Sequence, residues 1–394
     1  MSPFTTDNPV FITSIGMASC VGLSADDSCA SVRAGLSRFS PVDGVMDYDD
    51  DELEAPITGA PQPLLTRGFV QNAAWLRLVQ CAFEDLIQSA QLPPASDSAF
   101  WQTTPVIWIL PEITHERFLW PEDDINQILH QACTQALAHN LQYPLFVPAN
   151  GIIAEGQSGA ARAMRAMART IAEQHFPRAI FIGVDSLLDS LCLSGLMEAD
   201  RIKTQDNPMG FIPGEAAACV LVESRASCQA RKAQPQAILL SAAHRRFELP
   251  AVNEDETDDP EQTMQAQNTH WRTTHAQALG LLLSQAITEA LAPLGERHFA
   301  GDIILDLNGE EWRAVAWGTA QVRLSGNKRM DVEACEEIVP ATSWGDIGAA
   351  SGMAGLCLAT RSYVRRYAKT GLSLICCLSD NGYVGAMLTS QPPR

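Results

Sequence analysis

Short apolar runs alternate with longer segments of helical periodicity along this chain. The apolar runs predict buried strands, at residues 10–15, 106–110, 180–185, 219–222, 238–242, 303–307 and 372–378, the last expected to be the final strand. Helical spacing and start signals predict helices, at residues 24–35, 68–92, 124–138, 274–291 and 310–324. Buried strands that alternate with helices indicate an α/β fold with a largely buried sheet.

The pattern also repeats at about half the chain length. Ser158-Gly159 precedes an alanine-rich helix and the run at 180–185, and Ser351-Gly352 precedes a similar helix and the run at 374–379. The two motifs are 193 residues apart and the two runs 194 residues apart. Matching offsets favour gene duplication. We therefore predict an N-terminal half over residues 1–232 and a C-terminal half over residues 233–394.

Composition narrows the class of partner. The chain has 394 residues, is 46% hydrophobic and carries a formal charge of −19, which disfavours nucleic acid and anionic membranes as partners. Much of the acid lies in two runs, at residues 43–54 and 254–261. Such runs are usually solvated loops; the alternative is a docking surface for a basic partner.

The cysteines indicate a reducing compartment. There are 11, with no CxxC pair and no clustering with histidine, so we expect no disulfide scaffold, no metal site and no cofactor. Residues 1–9 lack the basic and apolar regions of a secretory signal, and no run of 18 apolar residues predicts a membrane span. We expect a cytoplasmic protein with reduced cysteines.

Two segments are unusually rich in small residues. Residues 210–218, Gly-Phe-Ile-Pro-Gly-Glu-Ala-Ala-Ala, predict a tight turn that enters a buried strand. Residues 345–352, Gly-Asp-Ile-Gly-Ala-Ala-Ser-Gly, predict a turn that opens a helix. Small residues at a helix start allow close approach to the free N–H groups there, which is typical of a reaction site.

These segments resemble those of β-ketoacyl synthases, and further resemblances follow the family's order along nearly the whole chain. They lie at residues 10–16, 181–186, 201–204, 207–208, 210–218, 345–355 and 379–386. The resemblance implies the thiolase-like fold, with two duplicated α/β halves stacked as helix, sheet, helix, sheet, helix layers. It also implies a homodimer.

The family's chemistry needs a cysteine at a helix N-terminus and two polar donors for the oxyanions. Residues 154–159 match the cysteine motif but hold no cysteine. An ungapped match places Gly156 at the cysteine position, and a match with a one-residue gap places Gln157 there. Asn308 stands at the first histidine position and Asp346 at the second. An ionised aspartate cannot donate to an oxyanion and repels a malonyl carboxylate. Ordinary condensation is therefore not expected.

Other polar residues near these motifs have structural interpretations. None of the eight histidines lies in the motifs, so Ser158 lacks a base, and helix capping explains it better. Glu215 is expected to satisfy backbone donors in its turn, and Asp185-Ser186 to form a structural hydrogen-bonding pair. Arg162, Arg165 and Arg169 recur at helical spacing, either as a basic patch for an acidic carrier protein or as a solvated helix face.

Residues 306–311, Asp-Leu-Asn-Gly-Glu-Glu, depart most from the enzyme pattern and are followed by Trp312, Arg313 and Trp317. Tryptophan and arginine are favoured interface anchors, so these side chains could bind a partner. The alternative is a helix packed over the vacated site, with Trp312 filling its volume.

The sequence and the resemblance leave two possible functions open. The first is an inactive scaffold: cysteine-lacking proteins with this type of 306–311 segment resemble a bacterial group associated with type VI secretion, which implies an adaptor or co-chaperone that loads an effector. The second is a non-condensing partner subunit or carrier-linked enzyme of fatty-acid or polyketide synthesis. A tunnel for an acyl-pantetheine chain would favour the second function, and a plugged tunnel the first.

Overall fold

Strands and helices alternate in the computed structural model, which describes residues 9–48, 54–114, 117–118, 120, 124–173, 175–248 and 271–393. The strands in these ranges are β1 Val10–Ser19, β2 Ser40–Tyr48, β3 Glu54–Gly59, β4 Val106–Leu110, β5 Ile152–Ala154, β6 Arg178–Ser186, β7 Glu215–Ser224, β8 Ala237–Arg246, β9 Asp302–Leu305, β10 Glu336–Ile338, β11 Leu372–Leu378 and β12 Tyr383–Ser390.

The α-helices in the same ranges are α1 Ala25–Arg33, α2 Pro63–Thr66, α3 Asn72–Ala90, α4 Ser98–Gln102, α5 Ile125–His130, α6 Leu137–Leu141, α7 Gly159–Ala172, α8 Ser190–Glu198, α9 Arg225–Arg231, α10 Ala276–Ala290, α11 Glu311–Gly326, α12 Ala341–Trp344 and α13 Ser351–Arg365. A π-helical turn, Gln131–Ala136, joins α5 to α6. The helix predicted at residues 124–138 is therefore interrupted.

The sheet repeats one arrangement twice. Its order is β10-β9-β11-β12-β8-β1-β7-β6-β4-β5. From β1 outward, β7 and β6 pair antiparallel and β4 and β5 parallel; from β8 outward, β12 and β11 pair antiparallel and β9 and β10 parallel. The two sets meet where β1 pairs with β8. This symmetry is the duplication that the sequence offsets predict.

Three apolar clusters separate the layers. One packs α3 against strands of the first half, and another packs α10 and α11 against strands of the second half. The cluster between them holds the apolar faces of α7 and α13, together with inward side chains from both strand sets. The layers are thus helix, sheet, helix, sheet, helix, which confirms the predicted fold class.

Two predictions about the strands are wrong. Residues 372–378 form β11, but β12 follows, because the glycine-rich tail turns only over residues 379–382 and then runs back antiparallel. The first acidic run was expected to be a loop, yet residues 43–48 belong to β2, which pairs with β3. Residues 49–53 and the second acidic run lie outside the described residues.

The structure bears on the predictions about disulfides, membrane spans and metal sites. All eleven cysteines are free, and burial raises the pKa of thiols such as Cys29 and Cys133 to about 12. In the described ranges, none of the helices is both long and apolar enough to cross a membrane. Nor do three or more His, Cys, Asp or Glu side chains of these ranges converge as metal ligands would.

Candidate functional site

The N-termini of α7 and α13 meet in the middle layer. A Cβ added to Gly352, in the first turn of α13, would lie 2.4 Å from the Cβ of Ala160 and 2.9 Å from the carbonyl oxygen of Gln157. Only glycine permits this approach. The small residues recognised in the sequence are therefore needed where the two helix starts touch.

A 3₁₀ turn, Gly156–Ser158, precedes α7 and begins with Gly156 at φ 69°. Gln157 is only 6% exposed. The Oγ of Ser379 accepts from the backbone N–H of Ser158 at 2.8 Å and donates to its Oγ at 2.8 Å. The turn thus holds both candidate nucleophile positions, neither with a reactive side chain. Which of them matches the cysteine stays a prediction.

A histidine does reach Ser158, which the sequence motifs did not indicate. β8 places His244 Nε2 3.4 Å from Ser158 Oγ and 3.2 Å from an oxygen of Glu155. Burial, with the nearby charges of Arg162 and Arg165, lowers the pKa of His244 to about 4. Serine and carboxylate contact the same ring nitrogen, whereas a catalytic triad uses opposite nitrogens. Since Ser158 is also fully buried, the cluster is structural.

Asn308 and Asp346, far apart in sequence, are brought into direct contact. Asn308 Nδ2 donates to Asp346 Oδ2 at 2.7 Å and to Glu310 Oε2 at 2.9 Å. Asp346 Oδ1 accepts from the N–H of Gly348 at 2.8 Å, just before α13. Burial raises the pKa of Asp346. Both N–H groups of the asparagine amide are therefore donated inside the protein.

Behind this contact lies an ion network that is largely buried, except that the side chain of Asp380 is 39% exposed. Arg201 donates to both oxygens of Glu310, at 2.7 and 2.9 Å, and to Asp380 at 2.8 Å. Arg313 donates to the other oxygen of Asp380 at 2.9 Å and to Asp306 at 3.1 Å. Two arginines, Arg201 from the N-terminal half and Arg313 from the C-terminal half, thus join three carboxylates of the C-terminal half. We call Arg201, Asp306, Asn308, Glu310, Arg313, Asp346 and Asp380 the ion network.

The carboxylates of the ion network differ in their protonation. Burial would raise the pKa values of Glu310 and Asp380. The positive charges of Arg201 and Arg313 nevertheless hold both pKa values below their ordinary range. Burial raises the pKa of Asp306 to about 7 against the opposing charge of Arg313. Its Oδ1 has no hydrogen-bond partner, which suits a proton there.

The three candidate interface residues lie in the interior. Trp312 and Trp317 are each 4% exposed and Arg313 is 0% exposed. The interpretation as surface anchors is therefore wrong for the chain as folded here. Trp312 does not fill the site either, because it packs in the cluster with α10 and the second strand set. Arg313 is the residue of this group that reaches the ion network.

Glu215 and Asp185 are structural hydrogen-bond centres. Glu215 accepts from the N–H of Gln62 at 2.7 Å and from the hydroxyls of Thr66 and Ser186. Its hydrogen-bond donors therefore lie outside its own turn, contrary to the prediction. Asp185 accepts from the N–H of Ala349 at 2.9 Å and from that of Ser186 at 2.8 Å.

Asp185 also pairs with Arg117, which the sequence motifs did not single out. Arg201 and Asp380 do lie in segments that resemble the family, but the resemblance did not indicate that their charges would pair. Of the three α7 arginines, Arg162 pairs with Glu155 and Arg165 with Glu289. This pairing favours a solvated helix face over a free basic patch.

A cavity of about 170 Å³ remains beside the two helix starts. Its lining is Pro111, Glu112, Thr114, Arg117, Gly156, Gln157, Asp185, Leu187, Leu196, Phe211, Asp346, Gly348, Asp380 and Asn381. Eight of these fourteen residues have polar or charged side chains. Among the described residues it is not the apolar tunnel that a growing acyl chain would need.

Solved structures that share this architecture include ketosynthases. The oxazolomycin ketosynthase domain OzmH KS7 of Streptomyces albus JA3453 superimposes with a TM-score of 0.68 at 13% identity, over 98% of this chain and 76% of that one. A type II polyketide ketosynthase, AntDE with its acyl-carrier protein AntF, and the ishigamide ketosynthase/chain length factor each give 0.69, at 12% and 14% identity, over 98% of this chain and all of theirs. The chain shares the thiolase-like fold of these ketosynthases.

One curated relative is the actinorhodin polyketide putative beta-ketoacyl synthase 2 of Streptomyces coelicolor. It is 25% identical over 56% of this chain. The match spans 60% of the relative's length. No family model matches the chain.

Proposed function

We propose that this ketosynthase-like protein does not condense acyl groups and works as a binding scaffold. The observation that carries the proposal is the pair of hydrogen bonds made by the amide of Asn308. Its two N–H groups donate to Glu310 and Asp346, so neither is left for an oxyanion. Loss of one oxyanion donor costs about 10² to 10³ in rate. The absence of cysteine from residues 154–159 also removes the covalent route.

The ion network supports the same proposal. At the second donor position stands Asp346, whose neighbours include Asp380 and Asp306. A malonyl carboxylate would approach acidic groups here, and like charges in a buried site repel strongly. Separating the arginines from these carboxylates would leave charges buried and unpaired.

The expected partner is a protein. The resemblance of residues 306–311 to the type VI secretion group leads us to propose a cytoplasmic adaptor or co-chaperone for a secreted effector. We also expect a homodimer. β10, at one sheet edge, exposes Glu336 and Glu337, which discourage strand pairing, whereas β5, at the other edge, has the apolar sequence Ile-Ile-Ala. A second copy of β5 would cover that edge.

The chemical part of the proposal is tested by intact-protein mass spectrometry after incubation with acyl and malonyl thioesters of an acyl carrier protein. A cysteine-bearing ketosynthase is the positive control. We expect no acyl adduct on the wild-type chain and no decarboxylation of the malonyl thioester. An adduct, or turnover above the uncatalysed rate, would overturn the proposal.

The scaffold part is tested by purification of the tagged protein from its native cell, with bound proteins identified by mass spectrometry. Recovery of a secretion effector or spike protein without an acyl carrier supports the adaptor. Recovery of an acyl carrier protein or of a cysteine-bearing ketosynthase would contradict it.

A non-condensing partner subunit of a synthase is the second candidate. Gln157 favours it, because some ketosynthase-like subunits carry glutamine at the cysteine position, and one structural neighbour is named as a ketosynthase/chain length factor. This candidate predicts a stable heterodimer with a cysteine-bearing ketosynthase. Size-exclusion chromatography of the purified chain with such a partner would detect it.

A further inference from the structure

A surface pocket of about 440 Å³ lies between α1 and the C-terminal end of α13. Seven residues line it: Asp26, Ala30, Arg33, Ala34, Arg361, Arg365 and Tyr367. Three arginines and one carboxylate give this lining a formal charge of +2, in a chain whose formal charge is −19. Such a local excess of positive charge attracts anions.

Two of the arginines converge on the one carboxylate. Arg361 Nη2 pairs with Asp26 Oδ2, and Arg365 Nη2 lies 3.6 Å from the same oxygen. The side chain of Arg361 is 14% exposed, whereas those of Arg365 and Asp26 are 61% and 57% exposed. A guanidinium carries five N–H donors in a planar fork that suits the oxygens of a phosphate. The pair with Asp26 uses only some of these donors, so others remain for a second anion.

The third arginine is held by an aromatic ring. The Cζ atom of Arg33 lies 3.9 Å from the centroid of the Tyr367 ring. This cation–π contact uses the face of the guanidinium and leaves its N–H edge available. Among the described residues, no carboxylate lies within ion-pair distance of Arg33. Burial raises the pKa of Tyr367 to about 12, so the phenol adds no negative charge to the pocket near neutral pH.

The helix ends account for part of the positive charge. Arg33 and Arg365 lie in the last turns of α1 and α13, where the partial negative charge of a helix C-terminus, about half a unit, stabilises cations. Arg361 lies one turn earlier. Two further carboxylates, Asp85 and Asp302, act on side chains beside the pocket, but each accepts from a backbone N–H and neither lines it. The pocket therefore keeps an excess of positive charge.

We propose that this pocket binds a phosphate dianion, either free or as a small phosphate monoester. Its oxygens accept from Arg33 and Arg365 and compete with Asp26 for Arg361. A dianion neutralises the formal charge of the lining, whereas a single carboxylate neutralises half of it. The pocket volume lies within the range of about 300–1,000 Å³ that is usual for small-molecule sites, which leaves room for a small organic group. These residues are outside the ion network and play no part in the proposed function.

Glycerol 3-phosphate and inorganic phosphate are the probes, each followed by NMR titration of the full chain at constant ionic strength. At about pH 8 a phosphate monoester, whose second pKa is about 6, is a dianion. We expect a phosphate probe to bind at least about tenfold more tightly than acetate, the effect of one further charged hydrogen bond. Tighter binding of the ester than of inorganic phosphate identifies an ester as the ligand, and equal or weaker binding identifies free phosphate. Acetate binding as tightly as both probes, or no binding of either probe, would overturn the inference.

Four variants test the location. Arg33→Gln and Arg365→Gln should each weaken phosphate binding by about tenfold or more. Arg366→Gln removes the same charge from the adjoining residue, which does not line the pocket, and should change binding by less than about twofold because exposed charges are screened by salt. Asp26→Asn removes the competing carboxylate and should tighten binding. Equal weakening by all three arginine variants would mean that binding follows net charge, and would overturn the inference.

Two readouts keep the test independent of the variants and of the proposed function. Circular dichroism at the titration temperature verifies that each variant is folded. In the wild-type chain, the backbone amide signals of residues 30–34 and 361–367 should shift most, and largest shifts elsewhere would place the phosphate outside this pocket. If phosphate does not bind while the chain stays free of acyl adducts, the phosphate site alone is lost. An acyl adduct would contradict the proposed function whatever phosphate does.

Discussion

The two helices of the middle layer are preceded by the same type of backbone turn. α7 follows the 3₁₀ turn Gly156–Ser158, and α13 follows the 3₁₀ turn Gly348–Ala350. Each turn starts with a glycine in the left-handed region, at φ 69° for Gly156 and 51° for Gly348. The duplication has therefore preserved the conformation of both helix starts.

The side chains around these turns differ. The turn before α13 is held by carboxylates, with Asp346 accepting from Gly348 N and Asp185 from Ala349 N. The turn before α7 is held by the neutral hydroxyl of Ser379. Carboxylates at a helix N-terminus are stabilised by the helix dipole. The second turn, Gly348–Ala350, is therefore stabilised by charged hydrogen bonds. The first turn is held by a hydroxyl, and both turns line the cavity.

Removal of the central cation should have the largest effect. Arg313→Met leaves Asp306 without its ion pair and Asp380 with Arg201 alone, and loss of one partner of a buried pair costs about 3–5 kcal/mol. We expect a loss of about 4 kcal/mol in the free energy of unfolding, measured by urea denaturation. Arg323→Met, on the exposed face of α11, is the control and should change it by less than about 0.5 kcal/mol.

A small effect of Arg313→Met would mean that the ion network does not stabilise the C-terminal half. A double variant sharpens the test. Arg313→Met with Asp306→Asn removes a charge together with its counterion, and should recover part of the lost stability.

The second turn should be the less tolerant of a side chain. A Cβ at Gly348 would lie 2.0 Å from Asp185 Oδ2, so Gly348→Ala displaces that carboxylate and adds left-handed strain. We expect a loss of about 3 kcal/mol in the free energy of unfolding, from the strain and a weakened charged hydrogen bond. Gly318→Ala, in α11 with no atom within 4 Å of the added Cβ, should be neutral or stabilising.

The repeat could be predicted from sequence because buried strands and small-residue helix starts leave a pattern that duplication preserves. Asn308 and Asp346 could be placed because each follows a recognisable motif. The partners of these residues could not be predicted, since Arg201, Arg313 and Asp380 meet only through tertiary packing. His244 was missed for the same reason: β8 brings it to Ser158 across 86 residues of sequence.

The two sides of the middle layer should respond oppositely to pH. Asp306, on the α13 side, has its pKa raised to about 7, mainly by burial. The folded state then holds more protons than the unfolded state between about pH 4 and pH 7. This group's contribution to stability is complete below about pH 4 and is lost as the pH rises to about 7.

His244, on the α7 side, has its pKa lowered by burial to about 4. Here the unfolded state binds more protons between about pH 4 and pH 6.5, so stability rises with pH over that interval. Each group contributes a slope of at most about 1.4 kcal/mol per pH unit.

Single variants separate the two slopes. Urea denaturation between about pH 4.5 and pH 7.5 should show Asp306→Asn gaining stability relative to wild type as the pH rises. His244→Gln should lose stability relative to wild type over the same range. Parallel curves for wild type and both variants would contradict the opposite protonation of the two sides.

The smallest effect is expected at the first turn. A Cβ at Gly156 would meet only Ser379, at 3.3 Å from its Oγ and 3.5 Å from its Cβ. Gly156→Ala therefore adds backbone strain of about 1 kcal/mol and little steric overlap. In the same urea experiment it should cost less than half of what Gly348→Ala costs. Equal losses would mean that a side chain is as poorly accommodated at the first turn as at the second.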